Sequence, residues 1–572
     1  MRFISAGFVF SALMAGRAAA STTIAPAAPG WTLVQNGTTG IVAIELMVVS
    51  PTLGILFQRA ANDPLQINGH SAWGALWDFR TNTASPLDLA TNAFCGAGGF
   101  LSNGTVAVVS GHPVDIFEPP MPPAPPGAAD GRMGVRMFEP CTTPDGAGCE
   151  IYDDPEVLHL VENRWYPTTV RVHDGSIMVI GGNEDLAPFY NEPNAVNNIE
   201  FVPPKDNNVP RHSPFLVRTL PANMFPRAFA LPDGKILMIA NNGAMIYDME
   251  NDTEQALPDL PNGVRVTNPF DGTAVLLPLS PPHYTPEVFV CGGSHVSDKI
   301  PPAQLTKQDP ASDQCSRLVL TKEGIKRGWQ VEKMLEGRMI PEMILLPNGQ
   351  VTIVSGAKTG YPAIGSVIGA IADGSNADHP AFTPALYTPD APRGKRFTNR
   401  GMPTSKIPRL YHSTATLTPM GNIMLAGNNP HSFVNNQTEF PTEFRVEYLN
   451  PPYMHVKRPF VGALPAKLAY NKKVTVPVTI PKGLNVKNLK LALMDLGFST
   501  HGWHSDSRLV WMDAKLSKDQ KSITFTTPPN NKVYPPGPAY VYLTVDDISS
   551  EGSYTLLGNG LPPPVGFQGV PL

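Results

Sequence analysis

Charge is scarce in this chain. Asp, Glu, Lys and Arg make up only 16% of its 572 residues, the net charge is −5, and no Lys/Arg cluster stands against that balance. A nucleic-acid partner is therefore not expected. Stretches of good helix formers with a period of 3.6 are also missing, which argues against a helical fold. Long apolar runs are confined to the start of the chain. There Arg2, an apolar stretch over 3–16 too short to cross a bilayer, and Ala18-Ala19-Ala20 read as a secretory leader over 1–20. No later segment has the length and apolarity of a membrane helix, and no membrane association is expected.

Cysteine is sparse as well, and its number, five, is odd. Cys141 and Cys149 bracket a short loop, and Cys291 and Cys315 a longer one, so these are the natural disulfide pairs in an oxidising compartment. Cys95 is left over. A lone thiol is ordinarily a small buried hydrophobe. Four Asn-x-Thr sequons, at Asn36, Asn103, Asn251 and Asn436, add to the expectation of a secreted, extracellular glycoprotein.

What the chain has in abundance is turn residues, 62 Pro and 50 Gly. They punctuate short apolar segments, the pattern of an all-β protein. Seven copies of an apolar-turn-apolar unit lie near 41–57, 94–110, 166–182, 225–240, 269–293, 340–356 and 411–427. Each reads as a hairpin, and together they predict a seven-bladed, kelch-like propeller over 21–458. The Pro-rich stretch 118–127 reads as an exposed insertion in the second blade. Aligned on their turns, the copies place Cys95, Tyr166 and Tyr411 at one repeat position, each eight residues ahead of Asn103-Gly104, Asp174-Gly175 and Pro419. Phe225 and Ile340 occupy it in two further copies. Equivalent positions of a closed array converge on its axis, so a thiol and two phenols, one followed by His412, are aimed at a common centre. That is the outline of a redox metal site, and copper suits imidazole nitrogen with anionic oxygen.

From about residue 460 the texture changes to short alternating segments over 474–480, 489–494, 507–512, 522–527 and 539–545. These predict an immunoglobulin-like sandwich over 459–572. One of its connections carries His501, Trp503 and His504 at a hairpin tip, an unusual load for a loop without a function.

Five segments, in this order, carry a resemblance. They are Cys95-Gly-Ala-Gly; Arg164-Trp-Tyr166 with Gly181-Gly182; Gly337-Arg-Met-Ile-Pro-Glu; Pro408-Arg-Leu-Tyr411-His412-Ser; and Ser499-Thr-His501. Over nearly the whole length after the leader, the chain resembles the copper radical oxidases, the galactose oxidase and glyoxal oxidase group, with the flavour of the fungal glyoxal oxidase branch. The resemblance implies one copper ion and a thioether between Cys95 and a ring carbon of Tyr166, the linked phenol serving as a radical cofactor. It implies Tyr166, Tyr411, His412 and His501 as metal ligands, with Tyr411 also the base for the substrate hydroxyl. His504 would then be a structural neighbour. The implied reaction oxidises a small glyoxal-type aldehyde to an acid and reduces O2 to hydrogen peroxide, in a monomer that a peroxidase partner could activate.

Two readings compete with it. On the same site, the chain could be a primary alcohol or galactose-type oxidase. Galactose-oxidising relatives stack a Trp soon after the first Gly-Gly; here Asn183-Glu184 follow, with Phe189 and Tyr190 the nearest aromatics. Strand alternation turns Trp165 away from the Tyr166 face, towards a core or inter-blade position. In another class, the chain could be a non-catalytic propeller that binds glycans or proteins, but such a module has no use for the five site residues together. Binuclear metal enzymes usually carry carboxylate-rich clusters, which are missing here.

Overall fold

The computed structural model describes residues 30–114, 124–141, 143–185, 189–365, 367–370, 374–431 and 433–564. The expected leader and most of the Pro-rich stretch lie outside them. Among the described residues the protein is nearly all β, with α-helix only at Pro214–Arg218 and Lys322–Arg327.

Among the described residues, seven antiparallel sheets of four or more strands follow one another up to Asn450. Their first strands are Glu45–Val48, Ala97–Phe100, Thr168–Arg171, Arg227–Ala230, Gly272–Leu276, Glu342–Leu345 and Ser413–Leu417. Neighbouring first strands lie against one another along most of this series, and Ser413–Leu417 returns to lie against Glu45–Val48. The strand Thr32–Thr38, first among the described residues, completes the last sheet by pairing with Arg445–Asn450. The first strands are fully buried along their whole length, polar Thr, Arg and Glu side chains included, as suits the inner position of each sheet.

The repeat is held by backbone chemistry. Cys95, Tyr166, Phe225, Ile340 and His412 all adopt left-handed φ, between 49° and 62°. Each lies nine residues before a left-handed turn glycine: Gly104, Gly175, Gly234, Gly349 or Gly421. Fifteen residues beyond four of these positions, a carbonyl is capped by a buried arginine. Arg136 donates to Ser110, Arg164 to Gly181, Arg338 to Ser355 and Arg409 to Gly427, at 2.7–2.8 Å.

This register corrects the expected alignment in the last copy. His412, not Tyr411, is the equivalent of Cys95 and Tyr166. The capping arginine stands two residues before the repeat position in Arg164–Tyr166 and Arg338–Ile340, but three before it in Arg409–His412. One inserted residue therefore brings both a phenol and an imidazole to the inner end of the same sheet.

The C-terminal part has two sheets, one containing Lys473–Thr479 and Ser522–Thr526, the other Leu489–Asp495, Arg508–Trp511 and Gly537–Val545. Val476, Val478, Ile523 and Phe525 of the first share a core with Leu491, Leu493, Val510 and Val541 of the second, so the sheets pack face to face. Between Asp495 and Arg508 the chain leaves this unit as a hairpin, Phe498–Thr500 and Trp503–Ser505. Phe498–Thr500 pairs with Glu45–Met47 and so extends the first N-terminal sheet. Both expected disulfides are present, Cys141–Cys149 and Cys291–Cys315; the latter joins directly opposed strand residues.

Candidate metal centre

Cys95, Tyr166, Tyr411, His412 and His501 come together from four sheets, although 406 residues separate the first from the last. All five are buried. The Cys95 Sγ stands 3.3 Å from His501 Nε2 and 3.8 Å from His412 Nε2. The two phenol hydroxyls of Tyr166 and Tyr411 are hydrogen-bonded to each other. The Tyr166 backbone N–H donates to the Cys95 carbonyl at 3.2 Å, which ties the two residues together across adjacent sheets. Ring contacts complete the packing: Tyr411 stacks on His412 at 3.7 Å, and Phe225 stacks on His501 at 4.5 Å.

The donor atoms fit a copper ion. Cys95 Sγ, His412 Nε2 and His501 Nε2 lie within 4.8 Å of one another, and no other such cluster of His, Cys, Asp or Glu occurs among the described residues. The Asn429 carbonyl can only accept, so His412 Nδ1 carries the proton that it donates at 2.7 Å. Its Nε2 therefore presents a lone pair to the centre. Thr500 Oγ1, 2.7 Å from His501 Nδ1, can take the proton of that ring in the same way.

Burial pushes His412 down to about 3 and His501 well below the usual histidine range, so both stay neutral, the ligand form. Burial also pushes both phenols well above the usual tyrosine range. A phenolate at this place requires a cation beside it, which a bound metal would be.

Sequence reasoning missed Arg59 and misplaced Trp165. Arg59 follows the apolar strand Leu53–Phe57, and its guanidinium lies 3.9 Å over the Phe94 ring. Burial lowers it to about 10, while Cys95, Tyr166 and Tyr411 pull it back up, so it is a cation in the same electrostatic environment as the phenols. Trp165 sits edge-on to Tyr166 at 4.6 Å. The left-handed φ of Tyr166 breaks the alternation that would have turned Trp165 away. Phe189 faces Tyr361, at 5.5 Å, and takes no part in the centre. His504 Nε2 is hydrogen-bonded with Glu342 Oε2 at 2.6 Å and is not among the clustered candidate ligands.

Above the phenols lies a cavity of about 60 Å3, walled by Phe94, Trp165, Met224 and Ile364 with Arg59, Asn268 and His431 as polar groups. A larger hollow of about 660 Å3, lined by Trp73 and Leu87 among others, contains no metal-binding cluster among the described residues. Size alone therefore does not locate the chemistry.

Comparison with known proteins shows the family to which the chain belongs. Residues 58–453 match the family model "Glyoxal oxidase N-terminus", and 458–556 match "Galactose oxidase-like, Early set domain". The chain is 30% identical over 478 residues to "Aldehyde oxidase GLOX" of Vitis pseudoreticulata, covering 82% of each. It is 28% identical to "Aldehyde oxidase GLOX1" of Arabidopsis thaliana, covering 84% of this chain and 74% of that one. In fold it resembles a fungal alcohol oxidase of the AA5 family solved in complex with copper, with a TM-score of 0.66 at 16% identity over 93% of this chain and 99% of that one. A family match across most of its length, ending in the C-terminal Early set domain, places the chain in the glyoxal oxidase and galactose oxidase group of copper radical oxidases.

Proposed function

We propose that the chain is a secreted copper radical oxidase that converts small aldehydes to carboxylic acids. The observation that carries this reading is the convergence of Cys95, Tyr166, Tyr411, His412 and His501 beneath one small cavity. The balanced reaction takes an aldehyde hydrate and O2 to an acid and hydrogen peroxide. Bound copper, with the Tyr166 phenol joined to Cys95, would supply the two-electron redox capacity. His412 and His501 would hold the metal as neutral imidazoles. Tyr411 would take the hydroxyl proton of the hydrate, and Tyr166 the hydrogen on the substrate carbon. The seven sheets, their adjacent first strands and the return of Thr32–Thr38 to the last sheet support a closed seven-bladed propeller over 21–458, with a sandwich over 459–572. A closed array also favours a monomer.

Two features favour aldehydes over sugars. The relatives at 30% and 28% identity are named aldehyde oxidases. The cavity, about 60 Å3, is far smaller than the roughly 300–1,000 Å3 of sites for drug-sized ligands, and so suits compact substrates. The copper-loaded protein should release peroxide with two- and three-carbon aldehydes at least roughly tenfold faster than with the matching primary alcohols, a difference of about 1.4 kcal/mol in barrier. Galactose should be inert. Faster turnover of the alcohols would move the assignment to the alcohol oxidase reading, and peroxide release with none of these would return it to a binding module.

Secretion makes a separate prediction. Asn36, Asn251 and Asn436 are exposed and should carry N-glycans. Asn103 is only partly exposed, and its turn is packed against the C-terminal unit, where Gly104 faces Leu556 and Pro538. Glycopeptide mapping of the secreted protein should find Asn103 the least occupied. Full occupancy there would contradict the docked turn, and no occupancy at any of the four would count against secretion.

A further inference from the structure

His501 is the one proposed ligand that the C-terminal part of the chain supplies. It rides on a hairpin that departs after Asp495 and returns before Arg508, and a ligand borrowed in this way needs outside support to hold its position. We propose that Arg171 and Glu342 are positioning residues for the copper centre, gripping the neck and the upper part of the 498–505 hairpin so that His501 faces His412 and Cys95. This deepens the copper reading above and rests on it.

At the neck, the Arg171 guanidinium bonds to Asp495, just before the hairpin, and the Arg171 backbone N–H donates to Asp506 Oδ1 at 2.7 Å, just after it. Arg171 ends the strand Thr168–Arg171, which begins two residues after Tyr166. One short strand therefore fixes the proposed radical tyrosine at one end and the hairpin neck at the other. Higher up, Ser499 and His504 are cross-strand partners, and the Glu342 carboxylate reaches both, His504 Nε2 at 2.6 Å and Ser499 Oγ at 3.5 Å. Glu342 opens the strand Glu342–Leu345, two residues beyond the left-handed Ile340, against which the hairpin-tip Gly502 is packed.

Both grips are buried and placed on strands that start at the centre, and the Arg171–Asp495 grip is an ion pair. A buried ion pair is a poor device for stability compared with apolar packing, but it fixes geometry through directional, charge-assisted bonds. Among the described strands, no others of the C-terminal part join an N-terminal sheet.

The test uses the full-length apoprotein and Cu(II) alone as the probe. Affinity is measured by competition with a chelator, the Cu(II) EPR spectrum is recorded, and thermal unfolding is followed in parallel. Arg171→Met and Glu342→Leu should weaken Cu(II) binding by tenfold or more and shift the EPR hyperfine pattern. Arg171→Lys and Glu342→Gln, which keep the contacts, should bind within threefold of the parent. Arg317→Met breaks a pair with Glu287 (2.7 Å) remote from the hairpin and should lose thermal stability with affinity and spectrum unchanged. Parent-like affinity and spectrum in Arg171→Met and Glu342→Leu would overturn the proposal. So would an equal loss of affinity in Arg317→Met, since the effect would then be general destabilisation. A parent protein that binds no Cu(II) would overturn the copper reading itself and this proposal with it.

Discussion

Tyr166→Phe is expected to release no peroxide above background with any aldehyde, a fall of at least roughly 10^4-fold. The substitution removes one oxygen and almost nothing else. The ring contacts with Trp165 at 4.6 Å, Phe225 at 4.8 Å and His501 at 5.1 Å all remain available to phenylalanine. The loss on the stability side is the hydrogen bond to the Tyr411 hydroxyl, and leaving that buried group unpaired costs about 1–3 kcal/mol. A folded, inactive variant is therefore the expected result, which near-ultraviolet circular dichroism alongside the peroxide assay would show. Peptide mass spectrometry adds a readout independent of turnover. After copper and oxygen, the parent should yield joined peptides containing Cys95 and Tyr166, lighter by two hydrogens than their sum and resistant to reductant; the phenylalanine variant should not. An active variant, or separate parent peptides, would end the radical-cofactor reading.

The parts of this site that could be read from sequence are those set by the repeat. Cys95 and Tyr166 stand at a fixed distance from turn glycines, and that distance is enforced by a two-stranded hairpin and its left-handed residues, so spacing alone finds them. His501 was legible through Ser499-Thr-His501, a local signature on a loop with two histidines. The misalignment in the last copy has a physical origin. Pro419-Met-Gly-Asn places its left-handed glycine at 421, one residue later than a simple match of turns allows, and the extra residue after Arg409 is what lets Tyr411 and His412 both face inward. Trp165 was misplaced because alternation holds only for extended backbone, and Tyr166 is left-handed. Arg59, Arg171 and Glu342 carry no such local mark. Their roles arise from which sheets become neighbours and from where the 498–505 hairpin lands, relations between segments hundreds of residues apart.

Glu45 shows what such burial implies for pH. It opens the first strand of the first sheet, opposite Thr500 in the hairpin, and it is wholly buried. Burial raises its carboxyl to about 8, although the backbone N–H groups of Cys95 and Gly96 and the charge of Arg136 pull the other way. The folded protein thus holds a proton on Glu45 that the unfolded chain loses near its ordinary value of 4.5. A raised pKa contributes stability fully below 4.5, and that contribution is lost as pH rises towards 8. At about 1.4 kcal/mol for each pH unit, the loss accumulates to about 5 kcal/mol by pH 8–9. Glu45→Gln keeps the shape and cannot ionise. It should match the parent in stability near pH 4, exceed it by about 3 kcal/mol at pH 7, and exceed it by about 5 kcal/mol at pH 9. Denaturant unfolding of parent and variant across that range isolates the effect, because every other titrating group is common to both. A difference that does not grow with pH would mean that Glu45 is already ionised in the folded protein. Growth as described would establish a neutral acid beneath Cys95, so that below about pH 8 the thiol and the two phenols face no additional negative charge from Glu45.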